Sequence, residues 1–235
     1  MKTTFYRAVP FIFLATSLLA CGGGVPIEIH IDEFQMALSL DDIMDEAFND
    51  LKGQGIFAGT TSALPVLWPK SMSDLRYSIP FASPPVSIDL DPEEGTEEAE
   101  KYQAINNLKD AINKIEFNRL VLRIEENSLT MALPELRFQV ADQLDARVDD
   151  RLAWHTIGSI PQTEPGFVGD LELLFVPSGE SFLNVQLSDD EKKFSIRVTG
   201  RLDIDTSITP RLPSGKVTVR LIAITTFYLE PRKAL

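Results

Sequence analysis

Cysteine and histidine are almost missing from this sequence. A single cysteine, Cys21, among 235 residues excludes any disulfide within the chain, so the fold must be held by packing. His30 and His155 are the only histidines, and with one cysteine they cannot supply the clustered soft ligands of a zinc site. No G-x-S-x-G is present to raise a nucleophilic serine beside either histidine, and both read as surface or strand-edge residues. Cations are also short: 22 Lys and Arg stand against 35 Asp and Glu, a net charge of −13. Such a surface is repelled by phosphates and anionic headgroups, which excludes nucleic-acid binding. Internal repeats, cofactor loops and composition shifts that would mark a linker are likewise lacking.

What is there begins at the N-terminus. Lys2 and Arg7 precede an apolar run from Ala8 to Ala20 that contains Pro10 and is too short to span a bilayer core of about 30 Å. The run closes in Leu18-Leu19-Ala20-Cys21, followed by Gly22-Gly23-Gly24, and no acid occurs before Glu28. A buried N-terminal helix with a core cysteine is the competing reading, and the three glycines stand against it. This arrangement resembles the lipobox signal of bacterial lipoproteins. The resemblance implies that residues 1–20 are removed as a signal peptide and that Cys21 is the lipid attachment site, carrying diacylglycerol and an amide-linked acyl chain such as palmitate. Residues 21–25 would then be the acylated cysteine and a flexible tether, binding the protein to a membrane through its acyl chains at about 0.8 kcal/mol per buried CH2. Gly22, where an aspartate would resemble an inner-membrane retention signal, implies the outer membrane rather than the inner, with the domain in the periplasm or at the cell surface. Loss of Lys2 and Arg7 would leave 20 cations against the same 35 acids, or −15, so the folded domain is expected to stand off the membrane.

Residues 26–235 read as one β-rich domain, with a small N-terminal subdomain over 26–95 as the alternative. Pro26 to Asp32 alternates apolar and polar residues, with Ile27, Ile29 and Ile31 expected inward. Ser39 and Asp42 form a capping-box-like start to a helix through Leu51, with Ile43, Ala47, Phe48 and Leu51 on one face and Gly53 as its stop. Residues 54–74 are expected as a loop with Trp68 as an anchor. Leu75–Phe81 and Val86–Leu90 read as strands that Pro80 and Pro84-Pro85 confine to edges or ends. Tyr102, Ile105, Leu108, Ile112 and Ile115 predict an amphipathic helix. Phe117–Ile124 and Leu129–Val140 predict a hairpin turning at Glu125–Ser128, and Ala141–Arg151 a helical turn or irregular strand. Val168–Val176, Ser181–Leu187, Phe194–Ser207 and Val217–Leu229 predict four further strands.

The segment Ile112–Val140, with Asn127 in its turn, resembles part of the sandwich domains of late-embryogenesis-abundant and water-stress proteins. Short strands with regular turn signals and two isolated helices give the same class: mainly β, an antiparallel β-sandwich or half-open barrel with one or two short amphipathic helices.

Candidate chemistry is sparse. Asp89, Asp91, Glu93 and Glu100 faintly echo an EF-hand loop and are the candidates for weak calcium binding, although Gly95 falls one position late and Pro92 follows the second aspartate. Carboxylates at a helix N-terminus, favourable by about 0.3–1 kcal/mol each, explain the same charges without a metal. Asp203 and Asp205 flank Ile204 and are expected on a solvated face rather than as a glycosidase pair. Phe167, Phe175, Phe182, Phe194 and Phe227 are expected inward, as core or as the lining of a cavity. No cofactor and no catalytic residue is assigned. The leading expectation is a non-enzymatic module acting through contacts with another envelope protein. A carrier holding a hydrophobic or lipid ligand between its sheets is second, and an enzyme with an unrecognised site is third.

Overall fold

The computed structural model describes residues 25–53, 64–89, 111–143, 146–147, 153–188 and 193–230. Two antiparallel sheets face each other, and neither closes into a barrel. The first sheet contains β1 (Val25–Ser39), β10 (Lys216–Leu229), β4 (Ile112–Asn127) and the short β7 (Gly169–Glu172), in that spatial order. The second runs β2 (Arg76–Ala82), β9 (Lys193–Asp205), β5 (Leu136–Ala141), β6 (His155–Ile160) and β8 (Leu174–Phe175), with β3 (Val86–Asp89) also on β9.

Alternation explains why these strands pack as they do. Leu120, Leu122 and Ile124 of β4 and Val217, Val219 and Leu221 of β10 face Leu136, Phe138 and Val140 of β5 and Ile196, Val198 and Leu202 of β9 across one core. Apolar area removed from water on such facing strands contributes about 25 cal/mol per Å2. The prolines behave as expected. β2, with Pro80, and β3, after Pro84-Pro85, lie end to end along the same edge of β9.

Helix α1 (Leu40–Gly53) starts where Ser39 caps it, its hydroxyl accepting the Asp42 N–H at 3.1 Å. Leu40, Met44, Ala47 and Phe48 point inward at helical spacing. Trp68 anchors the following loop, buried and donating Nε1–H to Ser73 O at 3.0 Å.

Four expected elements differ. Ile112 and Ile115 lie in β4, paired with Leu229 and Phe227, rather than on a helix; residues 101–110 are outside the described range. Three-residue spacing fits a helix stripe and not an unbroken two-residue strand period; a register irregularity between Tyr228 and Leu229 brings Ile112 and Ile115 opposite Leu229 and Phe227, and β-branching favours the strand. Leu129–Val140 does not pair back on β4. Asn127 does form a turn, accepting the Leu129 N–H at 3.0 Å, but the buried Leu129 and Leu133 then carry the chain across the core into the other sheet. Val168–Val176 is split likewise: β7 pairs with β4 and β8 with β6, with buried Leu173 crossing between them. Finally, Ser181–Leu187 belongs to a helix, α2 (Gly179–Ser188). The Phe182 N–H bonds Ser178 O at 2.9 Å, so Pro177-Ser178-Gly179 begins a helix instead of turning a hairpin. Leu183 and Gln186 face inward while Val185 is 61% exposed, a period of three to four rather than two. The helix rests on β4 of one sheet and on β6 and β9 of the other, covering the gap between them.

Candidate functional site

Of the residues singled out in the sequence, Cys21, Asp91, Glu93 and Glu100 lie outside the described residues. Asp89 closes β3 in register with Lys193. Among the described residues no group of three or more His, Cys, Asp and Glu side chains is placed to hold a metal ion, and no helix is long and apolar enough to cross a membrane. His30 lies in β1 opposite Ile224. His155 opens β6, exposed, with its ring 4.4 Å from Phe182 of α2 at 32°.

The carboxylates on β9 take the solvated face. Asp203 is exposed and accepts the Ser78 hydroxyl at 2.5 Å from the neighbouring strand. Asp205 accepts the Ser207 hydroxyl and, at 3.0 Å, the Ser207 N–H, with Arg76 3.1 Å away. The hydrogen bond from the Ser207 hydroxyl, more than the guanidinium, holds the Asp205 carboxyl below the usual aspartate value. Both aspartates are engaged with neighbours on one surface, as strand–strand and turn ties.

Sequence reasoning missed a polar cluster on the outer face of the second sheet. Arg197, 7% exposed, donates Nε–H to Gln139 Oε1 at 2.9 Å, and its guanidinium lies 4.1 Å from the Trp154 ring centre. Gln139 passes the chain on to the Thr156 hydroxyl at 3.2 Å, while the buried Ser195 hydroxyl donates to Gln143 O at 2.8 Å. Trp154 Nε1–H donates to Arg147 O at 2.9 Å. Burial draws the Arg197 pKa down, and the aromatic face offsets part of that desolvation. The arrangement fastens the chain between β5 and β6 onto the sheet. Its only sequence signal was the outward position of Arg197 on an alternating strand.

The aromatic positions divide. Phe194 and Phe227 are buried in the core, whereas Phe167, Phe175 and Phe182 are half-buried and packed against it. Phe167 precedes β7 and Phe182 is helical rather than extended. Between α1 and the edge of the second sheet, Met44, Phe48, Trp68, Tyr77 and Ile204 line an apolar recess with about 10 Å3 of free space. That is room for at most one water-sized sphere.

A second feature missed in the sequence is an exposed apolar tip. Val66, Leu67 and Ile208 are 68%, 60% and 79% exposed, on two segments joined by the Leu67–Arg211 bridge. The run Pro65-Val66-Leu67-Trp68-Pro69 carried the signal, since prolines at both ends keep apolar residues out of a regular sheet.

No protein-family model matches the chain, and no curated protein matches it.

Proposed function

We propose that this protein is a lipid-anchored lipoprotein of the bacterial cell envelope whose β-sandwich is a non-enzymatic binding module acting through protein contacts. The observation that carries the reading is the run Leu18-Leu19-Ala20-Cys21, with cations before it, glycines after it and no other cysteine in the chain. Acyl chains on Cys21 hold the mature protein to a membrane, the outer membrane in preference to the inner, and the first strand begins at Val25, only four residues on. An acidic body suits that placement, because it is repelled from anionic headgroups and soluble beside them.

The binding-module reading draws on how the described interior is filled. Among the described residues, facing side chains of the two sheets make one core, and the recess beside α1, which lies outside the space between the sheets, offers about 10 Å3. A carrier of a lipid-sized ligand needs a cavity of several hundred Å3, on the order of 300–1,000. The test is Cys21→Ser expressed in a Gram-negative host. On the proposal, the variant leaves the membrane fraction and keeps the melting temperature of the domain. A variant that is still membrane-bound with its acylation intact would reject the anchor at Cys21.

A further inference from the structure

Segments 64–76 and 205–216 are bonded together at one end of the sandwich. The Trp68 N–H donates to Pro210 O at 2.7 Å, the Leu212 N–H to Val66 O at 3.1 Å, and the Leu75 N–H to the Thr206 hydroxyl at 2.7 Å. Trp68 and Leu212, at 6% and 4% exposure, fix these segments from beneath. Val66, Leu67 and Ile208 are therefore presented to solvent on a backbone held in place. Three large aliphatics exposed together on a fastened tip are unusual for a surface with no partner.

Lys70 and Arg211 give the tip itself a basic flank, while the end of the sandwich as a whole is mixed in charge: Asp41 of α1 accepts the Gly215 N–H at 3.0 Å, with exposed Asp42 beside it. The two segments contain Lys70, Arg76, Arg211 and Lys216 against Asp74 and Asp205, a surplus of two cations on a chain whose net charge is −13. Arg76 is tied to Asp205 at 3.1 Å, while Lys70 and Arg211 are exposed beside the aliphatic residues. Position matters as well. Lys216 pairs with Ser39 at the tip end of the first sheet, and Val25 pairs with Leu229 at the other. The 15 residues of β1 between them span about 50 Å.

We infer that the tip formed by Val66, Leu67 and Ile208, flanked by Lys70 and Arg211, docks a protein partner that presents an apolar groove rimmed by carboxylates. The aliphatic side chains fill the groove, and the two cations meet the acidic rim and steer association on an otherwise anionic molecule. That the tip points away from the anchoring bilayer, and with it the choice of a protein over lipid as occupant, rests on the lipoprotein reading above; the exposure of the tip and its two flanking cations does not. An anchored bilayer lies beyond the opposite end of β1, and the acidic body repels anionic lipid, so a protein is the occupant that fits.

The experiment places benzoylphenylalanine at Leu67, at Ile208, or at the equally exposed Val185 on α2, in the full-length chain within the cells that make it. After illumination, adducts are identified by mass spectrometry, and the captured protein is purified and titrated against the full-length chain. The expected result is one and the same protein from Leu67 and Ile208 and not from Val185. Its affinity should fall at least about tenfold in Lys70→Glu/Arg211→Glu and be unchanged in the α1 surface variant Lys52→Glu, with both variants melting like the parent. No tip adduct, the same adduct from Val185, lipid adducts only, or affinity untouched by the charge reversal would each overturn the inference. The acyl mass on Cys21 is read from the same preparation. A tip adduct on an unacylated chain sinks only the anchor, and an acylated chain without a tip adduct sinks only the docking surface.

Discussion

Ser83 and Val198 exchange two hydrogen bonds where the edge strands β2 and β3 meet. The Ser83 N–H donates to Val198 O at 2.7 Å, and the Val198 N–H donates to the Ser83 hydroxyl at 3.0 Å. Pro84-Pro85 interrupts the ladder there, and one serine replaces the missing partner from its side chain. The two short strands thereby act as a single edge along β9.

Ser83→Ala leaves the buried Val198 N–H without an acceptor. A loss of about 1–3 kcal/mol is expected, read from the urea midpoint at unchanged slope. Ser78→Ala, which removes an exposed hydrogen bond to Asp203, should cost clearly less.

Gly179 opens α2 against β6, and a Cβ placed there would lie 1.9 Å from the carbonyl oxygen of Ile157. Backbone cannot yield as a side chain tip can, so Gly179→Ala should displace the helix that covers the gap between the sheets. We expect a destabilisation of about 2–4 kcal/mol, or a melting temperature lower by several degrees, in differential scanning calorimetry. Val185→Ser on the exposed side of the same helix should melt within about a degree of the parent.

Arg123 and Asp170 make a bidentate pair across β4 and β7, at 2.7 and 2.9 Å. The hydrogen bonds from Arg123 hold the Asp170 carboxyl below its ordinary value of 3.8. A carboxylate with a lowered folded-state pKa takes up protons first in the unfolded chain. Its stabilisation is therefore complete at neutral pH and is lost as pH falls below about 4 through the lowered value. Both side chains are about half exposed, at 49% and 50%, so the contribution is discounted for solvent to about 0–1 kcal/mol. Carbon-detected NMR titration should place the Asp170 midpoint below 3.8 and return it towards 3.8 in Arg123→Gln. An unmoved midpoint would count against the pair.

Ser39→Ala removes the acceptor for the Asp42 N–H at the start of α1. A cost of about 1 kcal/mol is expected, and Ser39→Asp should retain most of the stability.

Much of this architecture was legible in the sequence, and the exceptions share a cause. Alternation placed β2, β9 and β10, the Ser39 cap placed α1, and the prolines marked the edge strands, because each signal is local and has one reading. Ile112 and Ile115 misled because i, i+3 spacing is that of a helix stripe, and the register irregularity that fits them to β10 leaves no mark in the sequence. Phe182-Leu183 and Gln186 misled for the opposite reason: over seven residues, alternation and helical period overlap, and contacts with both sheets decide between them. Asn127 was correctly seen as a turn, but a turn does not say whether the chain returns to its own sheet or crosses to the facing one. The tip at Val66, Leu67 and Ile208 was half visible: Pro65 and Pro69 marked its first segment, but the second lies far along the chain and meets it only in the fold, through hydrogen bonds such as Trp68 to Pro210 and the burial of Trp68 and Leu212 beside one recess. The lipoprotein reading stands apart from these comparisons, because it rests on the linear motif Leu18-Leu19-Ala20-Cys21 outside the described residues.

The most direct test of the whole account is the intact mass of the protein extracted with detergent from the membranes of cells that produce it. The account expects a chain that begins at Cys21 and is heavier than its polypeptide by a thioether-linked diacylglycerol, with or without one further acyl chain. A mass beginning at Met1, or a free thiol at residue 21, would contradict it.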